Sequence, residues 1–226
     1  MRLNFKQLAI IYFVLLYIHI AVVLYFPEIE SFTKPFLVLI LGYWLFTYRK
    51  RFTKKGVFSA TVLALTFSLI GDQFMVYEEG KSLVFLGAIF CFLITHIFYI
   101  KAFSLLRNKK IKILNGFFYF LVVQGAFIVS ILYNFIEDTL KIPVFLYVIV
   151  ILAMANFAYL RKNKIDRWNW ILGLVGAFSF MFSDIIIAYT HFVAPFVGST
   201  IIVLSLYGAA QFLIVKSIIY SFEAPK

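Results

Sequence analysis

The chain has 226 residues, of which 64% are hydrophobic, 20% are aromatic and only 14% are charged. Soluble domains carry about 25% charged residues, so a water-soluble fold of this length has nowhere to put so much apolar surface. The composition therefore excludes an ordinary soluble domain and favours a membrane protein. The net charge of +11 does not indicate a nucleic-acid partner, because lysine and arginine are enriched in the cytoplasmic loops of membrane proteins.

Apolar runs of about 20 residues, the length that crosses a bilayer, recur along the whole chain. They predict an all-α integral membrane protein, an eight-helix transmembrane bundle in one domain over residues 1–226. The runs are continuous rather than alternating, so they do not indicate a β-barrel. The second run is short, and we expect its helix to extend past residue 48. The predicted helices are residues 8–26, 35–48, 57–77, 83–103, 113–135, 142–160, 169–190 and 197–220.

The loops between these runs alternate in charge. Loops 49–56, 104–112 and 161–168 each carry four or five lysines and arginines. Short basic loops stay in the cytoplasm, so we expect both termini inside a multi-pass protein of the inner cell membrane. The first run is too long for a cleaved signal peptide and is interpreted as a retained helix. The opposite loops hold the acidic residues Glu28, Glu30, Glu78, Glu79, Glu137 and Asp138.

A weak internal similarity relates the two halves of the chain. Asp72 on the third predicted helix and Asp184 on the seventh are each followed five residues later by a tyrosine. Pro35 and Pro143 open the second and sixth predicted helices. This pattern predicts duplicated four-helix halves. Chance matching in so aromatic a sequence is the alternative.

Asp72 and Asp184 are the acidic residues that fall inside apolar segments. A carboxylate at that depth costs on the order of 3 kcal/mol or more, so such residues usually face the bundle interior and serve a function. Both lie roughly 8–9 Å below the outer ends of their predicted helices, and we expect them to share a cavity. A close carboxyl pair supplies one acid and one base without a metal. The alternative is two structural acids, hydrogen-bonded to hydroxyls such as that of Ser68.

Other polar residues accompany the aspartates inside the apolar runs. Tyr207 and Gln211 are four residues apart and so share a helix face, and Tyr99 lies close to His96 on one face of the fourth helix. These side chains either line a deeper pocket or make ordinary interhelical hydrogen bonds. The three histidines and the one cysteine show no metal-ligand spacing, so we predict no metal and no cofactor.

Short motifs that carry these residues follow one another between about residues 33 and 215. They are Thr33-Lys34-Pro35, Phe67-Ser68-Leu69-Ile70-Gly71-Asp72, His96-Ile97-Phe98-Tyr99-Ile100-Lys101-Ala102-Phe103, Pro143-Val144 with Tyr147 and Met154, Gly176-Ala177 with Phe180 and Ser183-Asp184, and Tyr207 with Ala210-Gln211-Phe212-Leu213-Ile214. In this order the sequence resembles the YhhN family of membrane proteins, which includes the animal lysoplasmalogenases. Gln73, where an apolar residue is usual, and the spacing of Gly87 from His96 depart from the family pattern.

The resemblance implies a hydrolase that cleaves the vinyl-ether bond of lysoplasmalogens to a fatty aldehyde and a glycerophospho-headgroup. Asp72 and Asp184 would be catalytic, one as general acid and the other as cation stabiliser, base or nucleophile. A lysophospholipid would be the substrate and membrane lipids the surroundings, with no nucleic acid partner; the oligomeric state is left open. The residues expected to contact substrate are Lys34, His96, Tyr99, Ser183, Tyr207 and Gln211.

Other functions also suit two embedded aspartates. An intramembrane aspartyl protease is disfavoured, because its glycine-x-glycine-aspartate motif is absent: the corresponding residues are Leu69-Ile70-Gly71-Asp72. A proton-coupled transporter uses embedded acids and internal repeats, and a lipid-binding protein needs only the pocket. Release of aldehyde from a vinyl-ether lipid separates the hydrolase from both.

Overall fold

The computed structural model describes residues 4–78 and 81–222. Within these ranges the chain forms eight α-helices, which confirms the predicted all-α bundle, and two short 3₁₀ helices at Pro27–Ile29 and Arg49–Arg51. The helices are α1 (Phe5–Tyr25), α2 (Glu30–Thr47), α3 (Lys55–Val76), α4 (Ser82–Leu105), α5 (Gly116–Leu132), α6 (Asp138–Tyr159), α7 (Arg167–Phe192) and α8 (Ser199–Tyr220).

Most helices are long enough to cross a bilayer. Seven spans, one of which joins Pro27–Ile29 to α2, are apolar and have at least 18 residues, whereas α5 has 17. Since a helix rises 1.5 Å per residue, α5 reaches about 26 Å, near the lower limit for a spanning helix. The chain is therefore a multi-pass integral membrane protein.

Two helices, α2 and α6, begin further from their predicted starts than the other helices do. The second helix begins at Glu30 and ends at Thr47, so the expected extension past residue 48 was wrong. Pro35 and Pro143 do not open their helices, because each is the sixth residue of its helix, in α2 and α6. Hydropathy misses these first turns because they are polar. The shared place of the two prolines agrees with duplicated halves, which stay a prediction.

The loops give the bundle two unlike ends. We call the end with residues 48–54, 106–115 and 160–166 the basic end, and the opposite end, with Glu28, Glu78 and Glu137, the acidic end. Placement of the basic end in the cytoplasm stays a prediction. Glu79, one of the acidic residues used for it, lies outside the described residues.

Two helix pairs, α3 with α4 and α7 with α8, form the most extensive contacts, and α6 and α2 pack against α4 and α8 respectively. Small residues permit this close packing. A Cβ on Gly176 would lie 3.1 Å from the backbone oxygen of Ala210, so α7 and α8 meet almost backbone to backbone. On α3, Gly71 leaves room for the ring of Phe92. The arrangement brings Asp72 on α3 next to α8, and Asp184 on α7 next to α4 and α6.

A fully buried arginine ties helices together at the basic end. Arg161, just after α6, donates from Nη2 to Ser217 Oγ at 2.9 Å, and its Cζ lies 4.3 Å from the centre of the Phe103 ring. No carboxylate pairs with it among residues 4–78 and 81–222. Phe103, Arg161 and Ser217 all stand near helix C-termini, whose partial negative charges compensate the guanidinium. Gly173 supplies the space, because a Cβ there would overlap Arg161.

We predict that Gly173→Ala destabilises the bundle by about 1–3 kcal/mol, the usual cost of overpacking a tight interior. Gly42→Ala is the matched control, since nothing lies within 4 Å of a Cβ at that position. Alanine has the better helix propensity, so the control should keep or raise the melting temperature. Thermal unfolding of the purified variants in detergent measures both. Equal melting temperatures for the two variants would contradict the packing argument at Arg161.

Candidate active site at two aspartates inside the helix bundle

Asp72 is the end point of a hydrogen-bond network between α3, α4 and α8. Its Oδ2 accepts from the hydroxyl of Tyr207 at 2.8 Å, and this hydroxyl lies 2.6 Å from Ser68 Oγ. The amide nitrogen of Gln211 donates to Ser68 Oγ at 2.6 Å and to the Tyr207 oxygen at 3.2 Å. Tyr99 donates to the amide oxygen of Gln211 at 2.6 Å. Tyr99, Tyr207 and Gln211 are thus brought together, as neighbours of Asp72.

The hydrogens of this network all point the same way. A tyrosine hydroxyl has one hydrogen, and that of Tyr207 goes to Asp72, so Ser68 and Gln211 must donate to Tyr207. Each donor in the series from Tyr99 to Tyr207 is therefore polarised toward the carboxylate. Ser68 contacts Asp72 through Tyr207 rather than directly.

Lys34 lies on the other side of the Asp72 carboxylate. Its Nζ is 4.0 Å from Asp72 Oδ1 and 3.5 Å from Glu30 Oε1, and the lysine side chain is buried. Two carboxylates against one ammonium leave this cluster with a formal charge of −1 when all three are ionised. The predicted role of Lys34 as a phosphate partner stays a prediction, and its ammonium already lies beside two carboxylates.

Asp184 has a separate set of partners on α4 and α6. The Tyr147 hydroxyl donates to Asp184 Oδ2 at 2.6 Å, and His96 Nε2 lies 2.8 Å from the Tyr147 oxygen and 3.5 Å from the same carboxylate oxygen. His96 is thus a neighbour of Asp184. Tyr147 was missing from the predicted site residues, although it stands in one of the family-like motifs. The feature of the sequence that could have identified it is a hydroxyl-bearing side chain in the middle of an apolar helix.

The same hydrogen count determines the tautomer of His96. Tyr147 gives its one hydrogen to Asp184, so His96 must donate from Nε2. In the neutral ring the other nitrogen, Nδ1, is then the acceptor, and it is buried without a hydrogen-bond partner. This network also points at its carboxylate, from His96 through Tyr147 to Asp184.

We predict opposite tautomers for two buried histidines. Neutral His96 should carry its proton on Nε2. His19 should carry it on Nδ1, because that atom lies 2.9 Å from Thr33 Oγ1, whose hydrogen is donated to the backbone oxygen of Glu30. Nitrogen NMR of ¹⁵N-histidine-labelled protein distinguishes the two forms, and a His96→Gln variant assigns the signals. The same tautomer at both sites would contradict the networks described here.

The two networks meet at an aromatic contact. The Phe180 ring centre lies 4.6 Å from that of His96 and 5.3 Å from that of Tyr207. Among the described residues no hydrogen bond joins one network to the other, and Phe180 packs against both. Ser183 lies at the α7–α8 contact, where its hydroxyl donates to the backbone oxygen of Val203 at 3.2 Å.

The two aspartates lie at different distances from their helix ends. Asp72 stands four residues before the end of α3 and Asp184 eight before the end of α7, which is about 6 and about 12 Å along the axes. The expectation of equal distances was wrong, because α3 ends earlier and α7 later than hydropathy indicated. A single cavity shared by both carboxyls stays a prediction.

A large apolar cavity opens beside Asp184, and we call it the α4–α7 cavity. It holds about 890 Å³ including its opening and lies in the half of the bundle nearer the acidic end. Among the described residues, Asp184 and Tyr147 alone line it with side chains that form hydrogen bonds, and Asp72 does not line it. The residues that line it are Met75, Phe85, Ala88, Ile89, Phe92, Gly125, Ile128, Val129, Leu132, Ile136, Val144, Tyr147, Val148, Ile151, Leu152, Met181, Asp184, Ile185, Ile187, Ala188 and Phe192.

The cavity therefore suits a hydrocarbon chain with one reactive position at an acid. In residues 4–78 and 81–222 no group of three histidine, cysteine or acidic side chains is arranged to hold a metal ion. The chemistry available from these residues is proton transfer and electrostatic stabilisation.

Comparison with known proteins identifies the family. Residues 29–218 match the YhhN family. The chain is 29% identical over 170 residues to the Homo sapiens protein named lysoplasmalogenase TMEM86A, and 28% identical over 164 residues to the Bos taurus protein of that name. Each match covers 71% of this chain and 65% of the relative, so the chain aligns with slightly less than two thirds of these proteins. No solved structure matches the chain.

Proposed function

The chain belongs to the YhhN family, and we propose that it hydrolyses the vinyl-ether bond of lysoplasmalogens in the membrane. The products would be a fatty aldehyde and a glycerophospho-headgroup. The observation that carries this proposal is an acid, Asp184, on the wall of a hydrocarbon cavity inside a membrane bundle. The names of the human and bovine relatives support the same class of substrate.

The reaction needs one proton and one water. A proton adds to the vinyl carbon distal to the ether oxygen, and the double-bond electrons form the new C–H bond, which leaves an oxocarbenium ion. Water adds to the cationic carbon and loses a proton to the carboxylate, which gives a hemiacetal. The hemiacetal then loses its hydroxyl proton as its C–O bond to glycerol breaks, and the glycerol oxygen takes up a proton. The net change is the addition of one water.

In this scheme Asp184 is the proton donor. Asp184 is the acid that lines the cavity. A lipid whose alkyl chain is bound there therefore places the carbons nearest its ether oxygen at this carboxyl. Tyr147 stabilises the carboxylate that remains after proton transfer, because its hydrogen is donated to Oδ2, and His96 supports Tyr147 by donating to its oxygen. Such preorganised donors act strongly where water is excluded.

Asp72 acts on the cation from a distance in this scheme. The Asp72, Glu30 and Lys34 cluster carries a formal charge of −1 when all three groups are ionised, and its Asp72 and Lys34 side chains are buried, where charges are poorly screened. A negative charge near the cavity stabilises the oxocarbenium ion, as the second carboxylate does in glycosidases. The headgroup would face the acidic end, where a phosphate would share the point charge of Lys34 with Asp72 and Glu30.

We predict that Asp184→Asn abolishes aldehyde release from a lysoplasmalogen, because asparagine keeps the size of aspartate but cannot supply the proton. Asp72→Asn should lower the rate by about 100-fold or more, because it leaves the Lys34 ammonium less compensated near a developing cation. The double variant should be hardly slower than Asp184→Asn, as for groups that act together. His96→Ala should cost about 10–100-fold, the usual effect of removing a supporting residue.

Asp138→Asn is the matched control, since Asp138 is an exposed aspartate at the start of α6 that pairs with Lys141. It should release aldehyde at the wild-type rate in lipid nanodiscs. Full activity of Asp184→Asn would remove Asp184 as proton donor. A wild-type protein that binds vinyl-ether lysolipids but releases no aldehyde would contradict the hydrolase and leave a lipid-binding protein.

A further inference from the structure

The fifth helix, α5, has the least surface buried against the rest of the described protein. It packs mainly against α6 and α7, and it buries only Leu121, Gly125 and Leu132. Its exposed residues face the surrounding bilayer, where lipid tails are as apolar as leucine and do not drive burial, whereas Ile128 and Val129 line the α4–α7 cavity. The lipid-facing residues of α5 therefore do not have to fit against the other helices of the bundle.

One stripe of this exposed surface has the spacing of a helix–helix seam. Phe120, Gln124, Phe127 and Ile131 follow one another at intervals of four, three and four residues, so they align along one side of α5. The three apolar members are 51%, 62% and 52% exposed, and Gln124 is exposed as well. Apolar residues at this spacing with one polar residue among them are typical of paired helices, in which the polar residue determines register.

Gln124 lies at the middle of α5, eight residues from each end, where a bilayer offers no water. It makes no hydrogen bond to any other described residue. Two exposed hydroxyl groups in the spans, by contrast, have partners within their own helices. Ser130 donates to the backbone oxygen of Phe127, and Thr66 donates to that of Val62. The Gln124 amide, with two donors and an acceptor, therefore requires a partner outside the chain.

We propose that this stripe binds a second copy of the chain, with Gln124 of each copy hydrogen-bonded to Gln124 of the other. Two copies inserted in the same direction are related by a two-fold axis along the membrane normal, which brings identical residues together at equal depth. A primary amide suits such a contact because it is its own complement, donating and accepting at once. Amide pairs of this kind hold transmembrane helices together. The proposal is independent of the hydrolase.

Disulfide cross-linking tests the geometry. The one native cysteine, Cys91, is buried and is removed by Cys91→Ala. Phe127→Cys in this background should form a cross-linked dimer under mild oxidation in nanodiscs or vesicles that contain diluted protein. Phe90→Cys on α4 is the matched control, because Phe90 is 61% exposed but lies on another helix. Cross-linking at residue 90 and not at residue 127 would overturn the proposal.

The energetic test uses Gln124→Leu, with Ser130→Ala on the same helix as control. Single-molecule photobleaching in vesicles over a range of dilutions gives the dimer dissociation constant. The constant should rise by about tenfold or more for Gln124→Leu, which removes the paired amides, and should not change for Ser130→Ala. A wild-type chain that is monomeric at every dilution, or a dimer that Gln124→Leu leaves unchanged, would overturn the proposal. Since neither variant touches Asp72, Asp184 or the cavity, failure here does not bear on hydrolysis.

Discussion

The cost of keeping two carboxylates inside a bilayer is the constraint on which this structure depends. Each aspartate is the end point of a directed network, Tyr99 through Tyr207 for Asp72 and His96 through Tyr147 for Asp184. The donors come from helices far away in the sequence, so the networks also connect α3, α4 and α8, and α4, α6 and α7. The side chains that form the hydrogen bonds of the site therefore also hold the helices of the bundle together.

The two carboxylates have different surroundings, which favours a different role for each in the proposed reaction. Asp72 shares a buried cluster with Lys34 and Glu30 and is absent from the lining of the α4–α7 cavity. Asp184 lines that cavity beside Tyr147. Charge stabilisation acts over a distance in an apolar medium, whereas proton transfer requires contact. The surroundings therefore favour Asp184 for the proton and Asp72 for the charge.

The sequence predicts the number of helices because the length of an apolar run depends on bilayer thickness, which acts on every segment alike. It misses the first turns at Glu30 and Asp138, where polar residues are helical. Asp72 and Asp184 stand out because buried charge is rare. Tyr147 does not, since a tyrosine in a membrane helix is common and its partner lies 37 residues away in sequence. Arg161 follows α6 in a loop, as the sequence predicts, but its burial is not predicted, because burial between three helix ends depends on tertiary packing.

The central claim is that a lipid chain in the α4–α7 cavity presents its first carbons to Asp184. A structure of the protein with a bound alkyl-ether lysophospholipid, which lacks the double bond and so is not cleaved, tests it most directly. The account predicts the chain inside this cavity, with the carbon beyond the one bonded to the ether oxygen roughly 3–3.5 Å from a carboxyl oxygen of Asp184, as in a near-attack geometry. An alkyl chain bound outside this cavity, or a lipid headgroup bound inside it, would contradict this account.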